Sequence, residues 1–396
     1  MDSLRSNTSY GISDVLPPTI AGLISVIVNY GGTFILIFQA AQIAGLNAEL
    51  TASWVWSISI GVGVSGILLS WYTREPIITA WSTPAAAFLI TALAAVPYAE
   101  AIGAYILSAL AFVILGFTGY FEKLIRLIPA SVASALLAGI LLQFGISTFS
   151  NMSIDPLLAI TLFFIYLITK RLSPRYAIVS VLLFGIIFLM LQSRIDFSGL
   201  SLTLTTPIFT APAFSLNALL SVAIPLFLIT LTGQYMPGLL VLQNDGFKTR
   251  AKPILIVTGI GSMLMAPFGS HAFNLAAITA AICTGKESHE QPNRRWIAGI
   301  AAGIFYILVG IFGLSLAALF AAFPQPFIST LAGLALLATI AGSLANAIQD
   351  NHHREAALIT FLATTANIQL FGIGGAFWGL VLGLIAHWIL SSTVKK

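Results

Sequence analysis

Long apolar runs alternate with short polar breaks along almost the whole chain. A membrane crossing by a helix needs ~20 mostly apolar residues for a bilayer core of ~30 Å. By that measure fourteen segments, spans 1 to 14, are expected: 16–44, 49–70, 76–95, 101–119, 121–144, 154–171, 175–192, 214–242, 251–267, 269–284, 296–320, 325–348, 355–371 and 373–392. Trp296–Gln349 carries no charge and is too long for one crossing, and Phe323-Pro324-Gln325-Pro326 is its natural hinge.

The basic residues test this count, because they gather on the cytoplasmic side of membrane proteins. With the N-terminus inside, the inner segments hold Arg5, Arg74, Lys123, Arg126, Lys170, Arg171, Arg175, Lys248, Arg250, Lys252, Lys286, Arg294, Arg295, Arg354, Lys395 and Lys396. The outer segments hold Arg194 alone, so 16 of the 17 basic residues fall on one side. One span more or fewer would scramble that alternation. The expectation is a multi-pass protein of a bacterial-type inner membrane with both termini cytoplasmic. Ser147–Ser153 is then an outer loop. The polar first fifteen residues, with Arg5, lack the form of a signal peptide, in keeping with an N-terminus that stays inside.

Spans 3 and 10 break the apolar pattern. In Phe268-Gly269-Ser270-His271-Ala272-Phe273-Asn274-Leu275-Ala276-Ala277 only the part after Asn274 reads as a helix. Asn274 suits an N-cap, and a helix Leu275–Cys283 is about 14 Å long at ~1.5 Å per residue. Span 3 has the same form: Thr83 is the cap candidate, Pro84 sits where its missing N–H costs nothing, and the helix is expected over Pro84–Ala95. Extended chain at membrane depth requires burial in protein or a cavity. Two half-helices entering from opposite sides would aim free N–H groups and partial positive charge at one point, enough to hold a carboxylate. Alternatively, both residues merely cap kinked helices.

The long outer segment Gln192–Ala213 alternates polar and apolar residues over Ser201–Pro207, as a strand would. It lies mid-chain and divides the sequence into residues 1–195, a linker 196–213, and residues 214–396. Seven spans on each side, an odd number, give halves of opposite orientation, the inverted-repeat plan of many transporters. The fold class expected is therefore an all-α integral membrane protein with a seven-plus-seven repeat and half-helices in spans 3 and 10.

Composition agrees with a membrane protein: 58% of residues are hydrophobic and 8% charged, with mean hydropathy +0.99, against roughly 25% charged in soluble domains. The net charge of +4 follows from the sidedness of the bases and does not indicate nucleic acid. All thirteen Asp and Glu residues lie in loops or at span ends. Mid-membrane carboxylates mark proton relays and cation sites, so their absence disfavours a cation pump and leaves the helix ends for an anion. No zinc helix, phosphate loop or Cys/His cluster is present, and no enzyme activity, metal or cofactor is expected.

The polar and aromatic residues around the breaks are the remaining candidates. Gln39, Gln42, Gln234 and Asn29 either contact substrate or stitch helices together. Tyr30, Trp81, Tyr235 and Phe273 either pack or clasp a flat apolar ring. Ser82 and Ser270 border the two breaks. His271 is either a titratable group near the anion or a hydrogen-bonded structural residue.

Arg74-Glu75-Pro76-Ile77-Ile78-Thr79-Ala80-Trp81-Ser82-Thr83-Pro84 and Gly269–Ala281 resemble the BenE family of benzoate–proton symporters, and the likeness runs over nearly the whole chain. The family is similar in architecture to uracil permeases and sulfate-type anion transporters. The resemblance implies a core domain (16–119 plus 214–320) moving against a gate domain (121–192 plus 325–392). It implies substrate between spans 1, 3, 8 and 10, and a homodimer in the lipid bilayer. Uracil permeases place carboxylates in spans 8 and 10, where this chain has Gln234 and Ile278 or a neighbour. That departure disfavours a nucleobase. The expected function is proton-coupled import of benzoate or a related aromatic carboxylate, by contacts from Tyr30, Gln39, Trp81, Ser82, Thr83, Gln234, Tyr235, Ser270, His271, Phe273 and Asn274. His271 is the proton-coupling candidate. A general anion transporter of the same architecture is the alternative, and a channel, lacking a continuous polar path, comes last.

Overall fold

The computed structural model describes residues 11–121, 123, 129–174, 177–195, 202–277, 279–286, 288–351, 353–366, 368, 370 and 375–391. Arg5, Arg126, Arg175, Ser201, Ile278, Lys395 and Lys396 lie outside these, so the expectations placed on them are not addressed.

The described chain is helical apart from two three-residue strands. The first half contains α1 (Ile12–Thr33), α2 (Ile35–Ile43), α3 (Ala48–Thr73), β1 (Thr79–Trp81), α4 (Thr83–Ala92), α5 (Tyr98–Thr118), α6 (Ala130–Ile154), α7 (Pro156–Leu172) and α8 (Ala177–Leu191). The second contains α9 (Leu216–Gln243), α10 (Ala251–Met265), β2 (Phe273–Leu275), α11 (Ala280–Thr284), α12 (Trp296–Ile311), α13 (Gly313–Ala321), α14 (Gln325–Gln349), α15 (Arg354–Thr365) and α16 (Gly375–Ser391). Among the described residues, eight helical stretches are long and apolar enough to cross a membrane.

Local chemistry explains where many helices begin and end. Asn47 caps α3 by accepting from Leu50 N–H at 2.8 Å, and Asp155 caps α7 ahead of Pro156. Ser215 caps α9 by accepting from Ala218 N–H at 3.1 Å. Gly119 ends α5 in the left-handed region, φ 71°, where a residue without Cβ meets no penalty. Within the Phe323–Pro326 hinge, Pro324 is the N-cap of α14 and Pro326 lies in its first turn.

Two expectations are corrected here. Ser147–Ser153 is not a loop: α6 continues to Ile154, and the turn falls at Asp155, where the cap and the proline coincide. The described part of Ser201–Pro207 forms no strand. It runs along α12 and α13, with Thr205 N–H donating to the Ile311 carbonyl at 2.9 Å and Leu314 N–H to Thr205 Oγ1 at 2.8 Å. Alternation alone cannot distinguish a strand from an extended segment held by helix ends.

The polar ends of the molecule differ. At one end Arg74 stacks over Trp296 at 4.2 Å, Thr249 donates to Glu75, and His289 Nε2 lies 3.7 Å from Asp14. Arg295 donates to the carbonyls of Thr284 and His289, at 2.7 Å each. At the opposite end Arg194 pairs with Asp155 at 2.6 Å and Ser215 donates to Glu100. Between the ends, α3 packs on α12, α5 on α10, and α6 on α14.

Candidate functional site

β1 and β2 cross at the centre of the molecule as an antiparallel pair, with Thr79 opposite Leu275, Ala80 opposite Asn274 and Trp81 opposite Phe273. Ala276 N–H donates to the Ile78 carbonyl at 2.8 Å and Ser82 N–H to the Ala272 carbonyl at 3.4 Å, extending the ladder at both ends. Each strand thus satisfies the other's backbone where no water is available, which extended chain at this depth requires.

The helices that follow the strands are unequal. Ser82, not Thr83, caps α4: its Oγ accepts from Ala85 N–H at 3.3 Å and from Thr230 Oγ1 at 3.2 Å. Thr83 is the first helical residue, and α4 ends at Ala92 rather than Ala95. In span 10 the expected helix Leu275–Cys283 is absent. Asn274 and Leu275 belong to β2, and helix exists only over Ala280–Thr284. Asn274 cannot serve as an N-cap because its amide, oriented by its neighbours, joins the strands. It donates to the Leu275 carbonyl at 2.9 Å and accepts from Ser82 N–H at 3.2 Å.

A cavity of about 340 Å³ opens beside the crossing. One wall carries Asn29, Thr33, Trp81, Thr83 and Gln234, together with Ala276, Ala277 and Thr279. The facing wall carries Lys170, Pro174 and Ile178, with Ala335, Ala338 and Thr339 from α14. Trp81 Nε1 donates to Thr33 Oγ1 at 3.1 Å, which in turn donates to the Asn29 carbonyl at 3.2 Å. Asn29 Nδ2 donates to Tyr306 Oη at 2.7 Å. Behind Trp81, Tyr30 and Phe34 each lie with ring centroids 5.1 Å away, and Tyr306 lies at 6.0 Å. This aromatic cluster fixes the indole's position.

Gln234 lies in a π-helical stretch of α9, Leu231–Tyr235. Such a bulge changes the angular spacing of consecutive side chains and recurs at functional sites. Here it turns Gln234 to the cavity and Tyr235 away from it. The Gln234 amide makes no hydrogen bond among the described residues, although the residue is only 8% exposed. Tyr235 is held by Thr258 at 2.6 Å and packs on Phe112 at 4.8 Å.

The other predicted residues lie off this cavity. Tyr30 bonds Ser59 at 2.6 Å, behind Trp81. Gln39 lines a separate cavity with Gln42 and Gln325. Ser270, His271, Phe273 and Asn274 are buried, and none of them lines this cavity. His271 Nδ1 accepts from Trp54 Nε1 at 3.2 Å, which leaves Nε2 as the protonated nitrogen of the neutral ring. Phe273 fills the space over Gly61 and Gly261. Sequence reasoning missed Thr33, Lys170 and the α14 alanines. In the sequence Lys170 reads only as an inside charge, and nothing in its own segment signals a facing wall.

A model of the benzoate membrane transport protein family, BenE, matches residues 13–389. The chain belongs to this family. BenE is a transport family and not an enzyme family, and the chain is a membrane protein. It is 42% identical over 375 residues to the benzoate membrane transport protein of Acinetobacter baylyi, covering 95% of both chains. It is 39% identical over 376 residues to the inner membrane protein YdcO of Escherichia coli, covering 95% of this chain and 96% of that one. Solved structures give the fold. The transmembrane domain of the cyanobacterial bicarbonate transporter BicA superposes with TM-score 0.60 at 15% identity, covering 97% of this chain and 98% of that one. SLC26A9 superposes with TM-score 0.63 at 12% identity, covering 96% of this chain and 66% of that longer one. This BenE chain thus has the fold of anion transporters of the SLC26 and BicA type.

Proposed function

We propose that the chain imports benzoate or a close aromatic carboxylate together with a proton, by alternating access. The observation that carries the reading is the cavity beside the strand crossing. It combines a fixed indole, Trp81, with an unpartnered buried amide, Gln234, and the first turn of α4 at Thr83. An aromatic ring gains from burial against Trp81. A carboxylate is matched by the Gln234 amide N–H, by Thr83 and by the partial positive charge at the start of a ten-residue helix, in which Pro84 has no N–H and Ala85 N–H is held by Ser82. Lys170 is the cation on the facing wall.

The same proposal takes the cavity as the gap between a core (16–119 plus 214–320) and a gate (121–192 plus 325–392). The packing supports a seven-plus-seven inverted repeat of fourteen spans. Exchanging span n with span n + 7 turns the contact of span 2 with span 11 into that of span 9 with span 4, and both are present as α3–α12 and α10–α5. Spans 5 and 12, and spans 3 and 10, pair with each other, as α6–α14 and β1–β2. The end bearing Arg74, Arg295 and Lys170 is assigned to the cytoplasm by the positive-inside rule. A homodimer is the assembly implied by the family resemblance.

Benzoate alone would carry negative charge against an interior-negative potential, at ~2.3 kcal/mol per charge per 100 mV. One proton removes that cost. Uptake of labelled benzoate into proteoliposomes, with and without an imposed proton gradient, is the deciding measurement. Saturable accumulation driven by the gradient and inhibited far better by benzoate than by acetate is expected. Equal inhibition by the two would favour a general anion transporter, and non-saturating flux a channel.

His271 is the coupling candidate, although it does not line the cavity. His271→Gln is expected to retain benzoate binding and lose gradient-driven accumulation. Full accumulation in that variant would assign His271 a structural role and send the proton with the substrate or through water.

A further inference from the structure

We propose that the basic end of the molecule carries a binding site for an anionic phospholipid, in a groove between α9 and the start of α10. The groove, about 550 Å³, is a separate space from the cavity beside Trp81. Phe121, Met236, Leu239 and Leu240 form its apolar wall, and Arg250 and Lys252 stand at its polar edge. Leu240 is 56% exposed, and Arg250 and Lys252 are exposed as well.

Two features make a lipid the occupant. The groove is amphipathic in the direction a phospholipid needs, with apolar side chains followed by cations at the end where the bases gather. Its lining contains two cations and no carboxylate. The nearby Glu75 carboxylate accepts from Thr249 Oγ1, which ties it to the loop before α10. Basic pockets between membrane helices at the inner surface are suited to phosphate headgroups, and each Lys or Arg near the surface contributes favourably. A free anion would use only the polar edge, whereas the apolar wall matches an acyl chain. The site is independent of the transport reading, because none of its residues lines the cavity beside Trp81.

The test is a thermal-shift titration of the purified full-length protein with short-chain phosphatidylglycerol, short-chain phosphatidylcholine of the same acyl length, and inorganic phosphate. A saturable upward shift with phosphatidylglycerol is expected, clearly beyond that of phosphatidylcholine, with no shift from phosphate. In the Arg250→Gln/Lys252→Gln double variant the phosphatidylglycerol affinity is expected to fall by roughly 30-fold, the loss of two interfacial cations. Equal shifts from the two lipids would overturn the proposal, as would undiminished affinity in the double variant. A full shift from phosphate alone would make this a free-anion site and overturn the lipid assignment. The headgroup comparison needs only the unaltered protein, so poor folding of the variant leaves the test intact.

Discussion

Spans 3 and 10 meet in one strand pair and then diverge. After β1 the chain enters a ten-residue helix at once, with a serine cap and a proline in its first turn. After β2 it runs irregularly through Ala276 and Ala277 before a five-residue helix. Both sequences look like half-helices, but only one supplies a helix N-terminus of useful length. The reason is the role given to the polar residue at each break. Ser82 turns its hydroxyl forward onto Ala85 N–H, whereas Asn274 turns its amide sideways onto Ser82 and Leu275. Span 3 therefore brings a helix N-terminus to the cavity, and span 10 a surface of small side chains.

That asymmetry is tested first at two glycines of α9. A Cβ at Gly238 would lie 2.7 Å from the Ala276 carbonyl oxygen, a backbone atom that cannot step aside. At Gly233 the nearest atom is Pro84 Cγ at 3.2 Å, which a small shift can relieve. Gly238→Ala is expected to cost about 1–3 kcal/mol and remove most transport, while Gly233→Ala costs less than half as much. Melting temperature and uptake measured on both variants check this. Equal losses would mean that the irregular span 10 is no more tightly held than α4.

The paired aromatics of the crossing sharpen the comparison next. Trp81 faces the cavity, whereas Phe273 faces Gly61 and Gly261 in the interior. Trp81→Ala is expected to weaken benzoate binding by roughly 30-fold, the equivalent of about 2 kcal/mol of aromatic burial. Phe273→Leu should lower the melting temperature and leave the dissociation constant nearly unchanged. Calorimetric titration of benzoate separates the two, and a binding defect confined to Phe273→Leu would place the ring site on the wrong side of the crossing.

The last effect on binding concerns the polar residue at each break. Ser82→Ala removes a cap worth about 1 kcal/mol, and it loosens the helix end that borders the cavity. Asn274→Ala removes a buried bridge between strands at a cost of about 1–3 kcal/mol. The serine variant should raise the KM for benzoate more than it lowers stability, and the asparagine variant should do the reverse. Kinetics and denaturation on the same preparations decide it.

Much of this was legible in the chain. The length of the apolar runs and the one-sided bases are properties of sequence alone, because a bilayer imposes a fixed thickness and a fixed sign preference. The breaks at Trp81-Ser82-Thr83 and Phe273-Asn274 were legible because polar residues and a proline interrupt the apolar helical pattern there, and extended chain at that depth must be buried in protein. Helix ends were less so. Ser147–Ser153 carries enough polar residues to resemble a loop, yet i to i−4 bonds satisfy its backbone as far as Asp155.

Which side of each break faces the cavity depended on tertiary structure. Nothing in the order of residues tells whether Asn274 caps its own helix or bonds the strand that crosses it, since the partner, Ser82, is nearly two hundred positions away. The π-helical stretch that points Gln234 inward and Tyr235 outward is a shift of backbone register that residue periodicity does not record. Lys170 became part of a cavity wall only because α7 and α14 stand opposite Trp81. Hydrophobicity sets what must be buried; only the packing of distant segments sets which polar groups are left to face the space that remains.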